Sequence, residues 1–148
     1  MNNSKHIAEL TQNLQDVYTV FVTHDVKECQ EFYTRWFGFS TLFESSWFIL
    51  MQSPGEKGSL LAFMNEEHPS FPPAPKAMNG NGAFITFQVA DAKNLYDGMA
   101  SAGMEISYHL KLEDWGQLRF AVIDPNGMHV DVVEQIEPKE GFWDQYMG

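Results

Sequence analysis

Few side chains in this chain of 148 residues are placed to do chemistry together. In the run HVDVV, His129 and Asp131 are two positions apart. An extended strand turns both to one face and sends Val130 and Val132 to the other. An imidazole beside a carboxylate can pass protons, and with further donors it can ligate a metal. In AFITFQV, a second row consists of Phe84, Thr86 and Gln88, opposite the apolar row Ile85, Phe87 and Val89. If the two strands are neighbours, their polar rows share one surface. The other candidates have plainer explanations. Asp25, after His24, stands where a helix N-cap belongs. Glu66, Glu67 and His68 lie in a Pro- and Gly-rich stretch; they could grip a surface cation, but a solvated turn accounts for them. The five histidines lack the i, i+4 spacing of a helical zinc pair. There is no GxGxxG, no phosphate loop and no GxSxG elbow. The single Cys29 rules out an internal disulfide or a cysteine-only metal site.

The elements that must hold these residues are repeated. VYTVFVTHDVKECQEFYTRWFGF, 17–39, has an echo in AFITFQVADAKNLYDGMASAGMEI, 83–106. Each copy is a β-rich apolar run ending in Asp, then a helix that stops at Gly before an apolar residue. The first copy continues into strands at 39–43, 47–52 and 60–64, and the second into strands at 105–110, 117–123 and 129–135. Asp124-Pro125-Asn126-Gly127 carries the residues of a tight turn. Both halves therefore read β-α-β-β-β. The chain divides into an N-terminal helical appendage (1–16), a first module (17–64), a linker loop (65–82), a second module (83–135) and an aromatic tail (136–148). At this length the modules should share one core and form a single domain. Residues 4–13 read as a helix that covers an edge or a partner.

Composition narrows the function. The net charge of −11 opposes nucleic acid and anionic membrane and permits a neutral or cationic small ligand. Twelve Phe, five Tyr and four Trp exceed what a plain core needs, so some rings should line a ligand site or an interface. The first residues lack the apolar core of a secretion signal, and no apolar run approaches membrane-spanning length. The expectation is a cytoplasmic protein.

The repeated unit, the "D…FY…GF" helix (Asp25, Phe32, Tyr33, Gly38, Phe39) and the "WG…DPNG" ending (Trp115, Gly116, Phe120, Asp124, Pro125, Gly127) resemble the vicinal oxygen chelate superfamily. That group includes glyoxalase I, extradiol dioxygenases, and the fosfomycin- and bleomycin-resistance proteins. The resemblance spans roughly 17–134. It implies an α+β fold in which two βαβββ modules form a cupped, half-open β-barrel with helices on the convex side. It also implies a homodimer, sometimes with exchanged modules. In the family's enzymes a divalent metal sits in the cup on His, Gln or Glu from the first and last strands of each module.

Carried over one position at a time, those ligands are not here. Seven residues before Asp25 stands Tyr18, and seven before Asp91 stands Phe84, where His or Gln is expected. The last-strand Glu falls at Asp131 in the second module and among Leu61, Ala62 and Phe63 in the first. One carboxylate among rings cannot hold a catalytic divalent ion, which needs about three protein donors. The expected site is therefore an aromatic cup without a metal or other cofactor, similar to the bleomycin-resistance branch. Its rings would be Tyr18, Trp47, Phe84 and Trp115, and its polar anchors Thr86, Gln88, His129 and Asp131, with Glu44 and Tyr108 at the rim. The expected ligand is a small aromatic or cationic organic molecule. Two alternatives stay open. One is a metal-dependent lyase, isomerase or dioxygenase with an atypical site, in which His109 converges on His129 and Asp131. The other is an interaction module whose cup is filled by its own tail.

Overall fold

The structure, a computed structural model, describes residues 4–69 and 76–148. In chain order its elements are α1 (Ser4–Asn13), β1 (Thr19–Thr23), α2 (Val26–Phe37), β2 (Ser40–Glu44), β3 (Phe48–Gln52) and β4 (Leu60–Asn65). Then come β5 (Ile85–Gln88), α3 (Ala92–Ser101), β6 (Tyr108–Glu113), β7 (Gln117–Ile123) and β8 (His129–Gln135), with a final 3₁₀ turn at Phe142–Gln145. The two β-α-β-β-β modules fold into two mixed sheets ordered β1-β4-β3-β2 and β5-β8-β7-β6, with the first and last strands of each module parallel. The chain has the expected α+β architecture of two cupped sheets.

Local chemistry explains the helices. The Asp25 carboxylate accepts from the backbone N–H of Lys27 and Glu28, and that of Asp91 from Asn94 N–H. These caps satisfy donors the first turn would otherwise leave free. Gly38 ends α2 in the left-handed conformation, φ 69°, which lets its own N–H reach Thr34 O and the next N–H reach Tyr33 O. On α2, Val26, Cys29 and Tyr33 recur at helical spacing and are all buried against β3 and β4.

One core joins the modules. It runs from Tyr33, Ile49, Met51 and Phe63 of the first to Met99, Phe120, Val122, Val130 and Val132 of the second. Phe37 stacks on Phe87 across the junction at 4.5 Å between ring centres. The junction is also pinned by polar contacts. The Tyr33 hydroxyl donates to Asp124 Oδ2 at 2.7 Å, and Asn126 Nδ2 donates to Val22 O at 3.3 Å. The linker crosses the 124–127 turn so closely that a Cβ on Gly80 would lie 2.1 Å from the carbonyl oxygen of Gly127.

The core thus takes the helix-bearing face of both sheets and leaves both opposite faces open. Tyr18, Val20 and Phe43 are exposed on the first sheet, and Phe84, Ile123 and His129 on the second. Three expectations need correction. Sequence reading set β6 at 105–110, but pairing starts only at Tyr108, with a register irregularity between Tyr108 and Lys111. The helix α1 has no buried residue, so of its two expected roles, covering an edge of its own chain or covering a partner, the first does not hold. Glu44 is not at a rim: its carboxylate takes Lys27 Nζ at 2.8 Å and Gln30 Nε2 at 2.6 Å, which ties β2 to α2.

Candidate functional site

Strand register places the chemistry-bearing residues. On the open face of the second sheet, Thr86, Asp131, Ala121 and Tyr108 lie side by side across β5, β8, β7 and β6. The corresponding line on the first sheet is Val20, Ala62, Leu50 and Phe43 across β1, β4, β3 and β2. The fold repeats, but the surface does not: one open face is polar and the other apolar.

The polar face is organised by Arg119. Its Nε donates to Glu113 Oε2 at 2.8 Å and its Nη1 to Asp131 Oδ2 at 3.0 Å. The guanidinium carbon lies 4.4 Å from the centre of the Tyr108 ring and 5.6 Å from that of Trp115. The Tyr108 hydroxyl also donates to Glu113 Oε2, at 2.9 Å. Burial alone would raise the Glu113 carboxyl. The hydrogen bonds from Arg119 and Tyr108 and the nearby positive charges outweigh it and hold the group below the usual glutamate range. Desolvation likewise works against the guanidinium, and its carboxylate partners more than compensate. Arg119 is therefore a fixed cation gripped by two carboxylates, with three of its five N–H donors uncommitted to those two bonds.

Beside Arg119 is an open dish of about 520 Å³ lined by Gly80, Gly82, Ala83, Phe84, Arg119, His129 and Asp131. The structure thus brings together three of the residues expected from sequence: Phe84, His129 and Asp131. Thr86 and Gln88 line a second cavity, together with Ile85, Phe87 and Val89 of the same edge strand. Trp115 stands near Arg119 but in the β6–β7 turn, where its Nε1 donates to Gln117 Oε1 and its carbonyl accepts from Trp143 Nε1. Tyr18 and Trp47 do not line the dish. Tyr18 belongs to the open apolar face, and Trp47 sits before β3, with its ring 6.4 Å from that of His68. His109 does not converge on His129 and Asp131: its Nδ1 is 2.7 Å from the Tyr96 hydroxyl, toward α3. The tail packs with Phe142 against Trp115, and no tail residue lines the dish.

Sequence reading missed Arg119 and Glu113. The signal for Arg119 was present in QLRFAVI, where alternation puts it on the same face as Gln117 and Ala121 and next to the strand of Asp131.

The positions at which the family's enzymes carry metal ligands hold unsuitable groups here. Tyr18 and Phe84 immediately precede the first strands of the two modules, Ala62 lies opposite Val20, and Asp131 is engaged by Arg119. Among the described residues no three His, Cys, Asp or Glu side chains come together to hold a metal ion. The donor set does not fit a catalytic metal.

The model of the Glyoxalase/Bleomycin resistance protein/Dioxygenase superfamily matches residues 15–132. The chain belongs to that superfamily. No curated protein matches it. Among solved structures, a superfamily member from Nocardioides superposes with a TM-score of 0.66 at 17% identity, covering 94% of this chain and 98% of that one. A protein of unknown function from Agrobacterium tumefaciens gives 0.64 at 22% identity, covering 84% and 97%. The bleomycin resistance determinant encoded on the transposon Tn5 gives 0.55 at 18% identity, covering 82% and 98%. At these identities the likeness establishes the superfamily fold. No described helix is long and apolar enough to cross a membrane.

Proposed function

We propose that this superfamily member is a cytoplasmic homodimer that binds a small aromatic or cationic organic molecule without a catalytic metal. The site is the polar open face of module two in one copy, closed by the apolar open face of module one in a second copy. The carrying observation is the pair of corresponding rows, Thr86-Asp131-Ala121-Tyr108 and Val20-Ala62-Leu50-Phe43. Each is half a pocket: one offers hydrogen bonds and an ordered cation, the other a hydrophobic wall. A planar ligand between them would stack on Phe84 and the partner's aromatic residues and direct its polar group to Arg119, His129 and Asp131.

Calorimetry with proflavine and a panel of related cationic and neutral aromatic compounds tests this reading, together with sedimentation of the free protein. The expected result is a dimer that binds a subset of the panel at one site per chain. Tyr18→Asp, on the open apolar face, should yield monomers that no longer bind. Binding by a monomer, silence across the panel, or stoichiometric iron, zinc, nickel or manganese after purification without chelator would each overturn it.

A further inference from the structure

We propose that the cleft between the modules is a second ligand site, distinct from the dish, and that it takes a small amphiphilic carboxylate with an alkyl or aryl body. The cleft has a volume of about 750 Å³, and its lining shares no residue with the dish. That volume falls in the range of pockets that enclose small organic ligands. Its walls are apolar: Trp36 and Phe37 from α2, Leu95 and Met99 from α3, and Leu60 and Phe87 from the strands.

The charge at its mouth selects the ligand. Lys57, in the β3–β4 hairpin, is the only charged residue among the described residues of the lining. The chain has 20 acidic residues against nine basic ones, so a wall free of carboxylates is where an anion meets least repulsion. Among the described residues Lys27, Lys93, Lys111 and Arg119 form ion pairs; Lys57, like Lys5, Arg35, Lys76 and Lys139, forms none, and it is the one of these five in the cleft lining. The hairpin that carries it is ordered by its own bonds. Ser53 N–H donates to Ser59 O at 2.8 Å, Ser59 N–H to Ser53 Oγ at 2.8 Å, and Gln52 Nε2 to Gly58 O at 3.0 Å. An alkyl or aryl body in the cleft with its carboxylate at Lys57 satisfies both the apolar wall and the unpaired ammonium. An amine of the same shape would place like charges together, and an uncharged body would gain only the wall.

Calorimetry on the full chain with octanoate, octanol and octylammonium tests the site. Octanoate should bind once per chain, octanol more weakly, and octylammonium not at all. Because Lys57 is exposed and partly screened, Lys57→Gln should weaken octanoate about three- to fivefold and leave octanol unchanged. Leu95→Trp, which fills the cleft from a half-open helix position, should abolish octanoate binding with thermal unfolding still cooperative. Octanoate binding should survive Asp131→Ala, which separates this site from the dish and from the fate of the reading proposed for it. No heat from octanoate, equal binding by the Lys57→Gln protein, or loss of octanoate binding as the protein self-associates would overturn the proposal. The last result would make the cleft a surface between copies of the chain.

Discussion

Replacing Tyr33 by Phe removes one oxygen and should expose how the two modules are coupled. The Tyr33 hydroxyl reaches from α2 of the first module to Asp124, at the end of β7 in the second, at 2.7 Å. Both side chains are buried, and the other carboxylate oxygen of Asp124 already accepts from the backbone N–H of Asn126 and Met128. Burial pushes the Tyr33 hydroxyl far above its ordinary range, so it stays a neutral donor at every working pH. Losing a hydrogen bond to a buried charged group costs about 1.5–3 kcal/mol. For a chain of this size that is a fall in Tm of roughly 3–10 °C. The pH dependence gives a sharper test. Desolvation raises the folded-state carboxyl of Asp124 above its reference of 3.8 despite its three donors. A raised acid contributes stability that is present below its unfolded value and lost as the pH climbs through its folded value. Tyr33→Phe takes away a donor that lowers this carboxyl, so the window widens and the variant's deficit grows with pH. Urea unfolding near the reference value of 3.8 and again at pH 8 measures it. A deficit under about 0.5 kcal/mol, or one equal at both pH values, would show that the contact does not carry the coupling assigned to it.

Two further substitutions probe the junction and the polar face. Gly80→Ala should cost more than about 2 kcal/mol in thermal or urea unfolding, because the new methyl meets a carbonyl oxygen at 2.1 Å on a residue with φ +78°. Gly82→Ala is the control: φ is +81° with nothing within 4 Å, so the loss should stay near about 1 kcal/mol, the left-handed penalty alone. Arg119→Met leaves Glu113 without its guanidinium in a part-buried contact, at a cost of about 1.5–3 kcal/mol near pH 7. The folded carboxyl of Glu113 is depressed, so its contribution is present above the unfolded value of 4.5 and is lost as pH falls through the folded one. The gap between Arg119→Met and the parent in denaturant unfolding should therefore narrow below about pH 4.5.

The residues legible in the sequence were those governed by local rules. Asp25 and Asp91 cap helices wherever the chain goes, and Gly38 must end α2 because few other residues tolerate its φ. β7 and β8 were read to their limits because turn residues bound them and the alternation of His129–Val132 favours the register that buries Val130 and Val132. β6 was misplaced because its apolar residues Met104, Ile106 and Leu110 pack on the core through an irregular entry that alternation does not describe. Arg119 was missed for a different reason. A charge inside an otherwise apolar strand reads as a solvent-facing residue until its partners are known, and Glu113 and Asp131 come from two other strands.

The site was less legible than the fold because the repeat constrains the two faces of each sheet unequally. On the helix-bearing face both modules must fill a shared core, so the repeat is kept there: Ile49, Phe63, Phe120 and Val132 are all buried. On the open face a single chain imposes less packing, and the corresponding positions differ: Val20 and Thr86, Ala62 and Asp131, Phe43 and Tyr108. Exposed aromatic and aliphatic side chains on one open face cost solubility unless they meet a partner or a ligand. Phe84 at 63% exposure and Tyr18 at 45% are rings of that kind, one on each open face. Phe84 lines the dish beside Arg119 and His129, whereas Tyr18 stands apart from it. A chain selected only to fold could replace Tyr18, Phe43 and Phe84 with Ser or Thr at little cost to its core, because none of the three belongs to it.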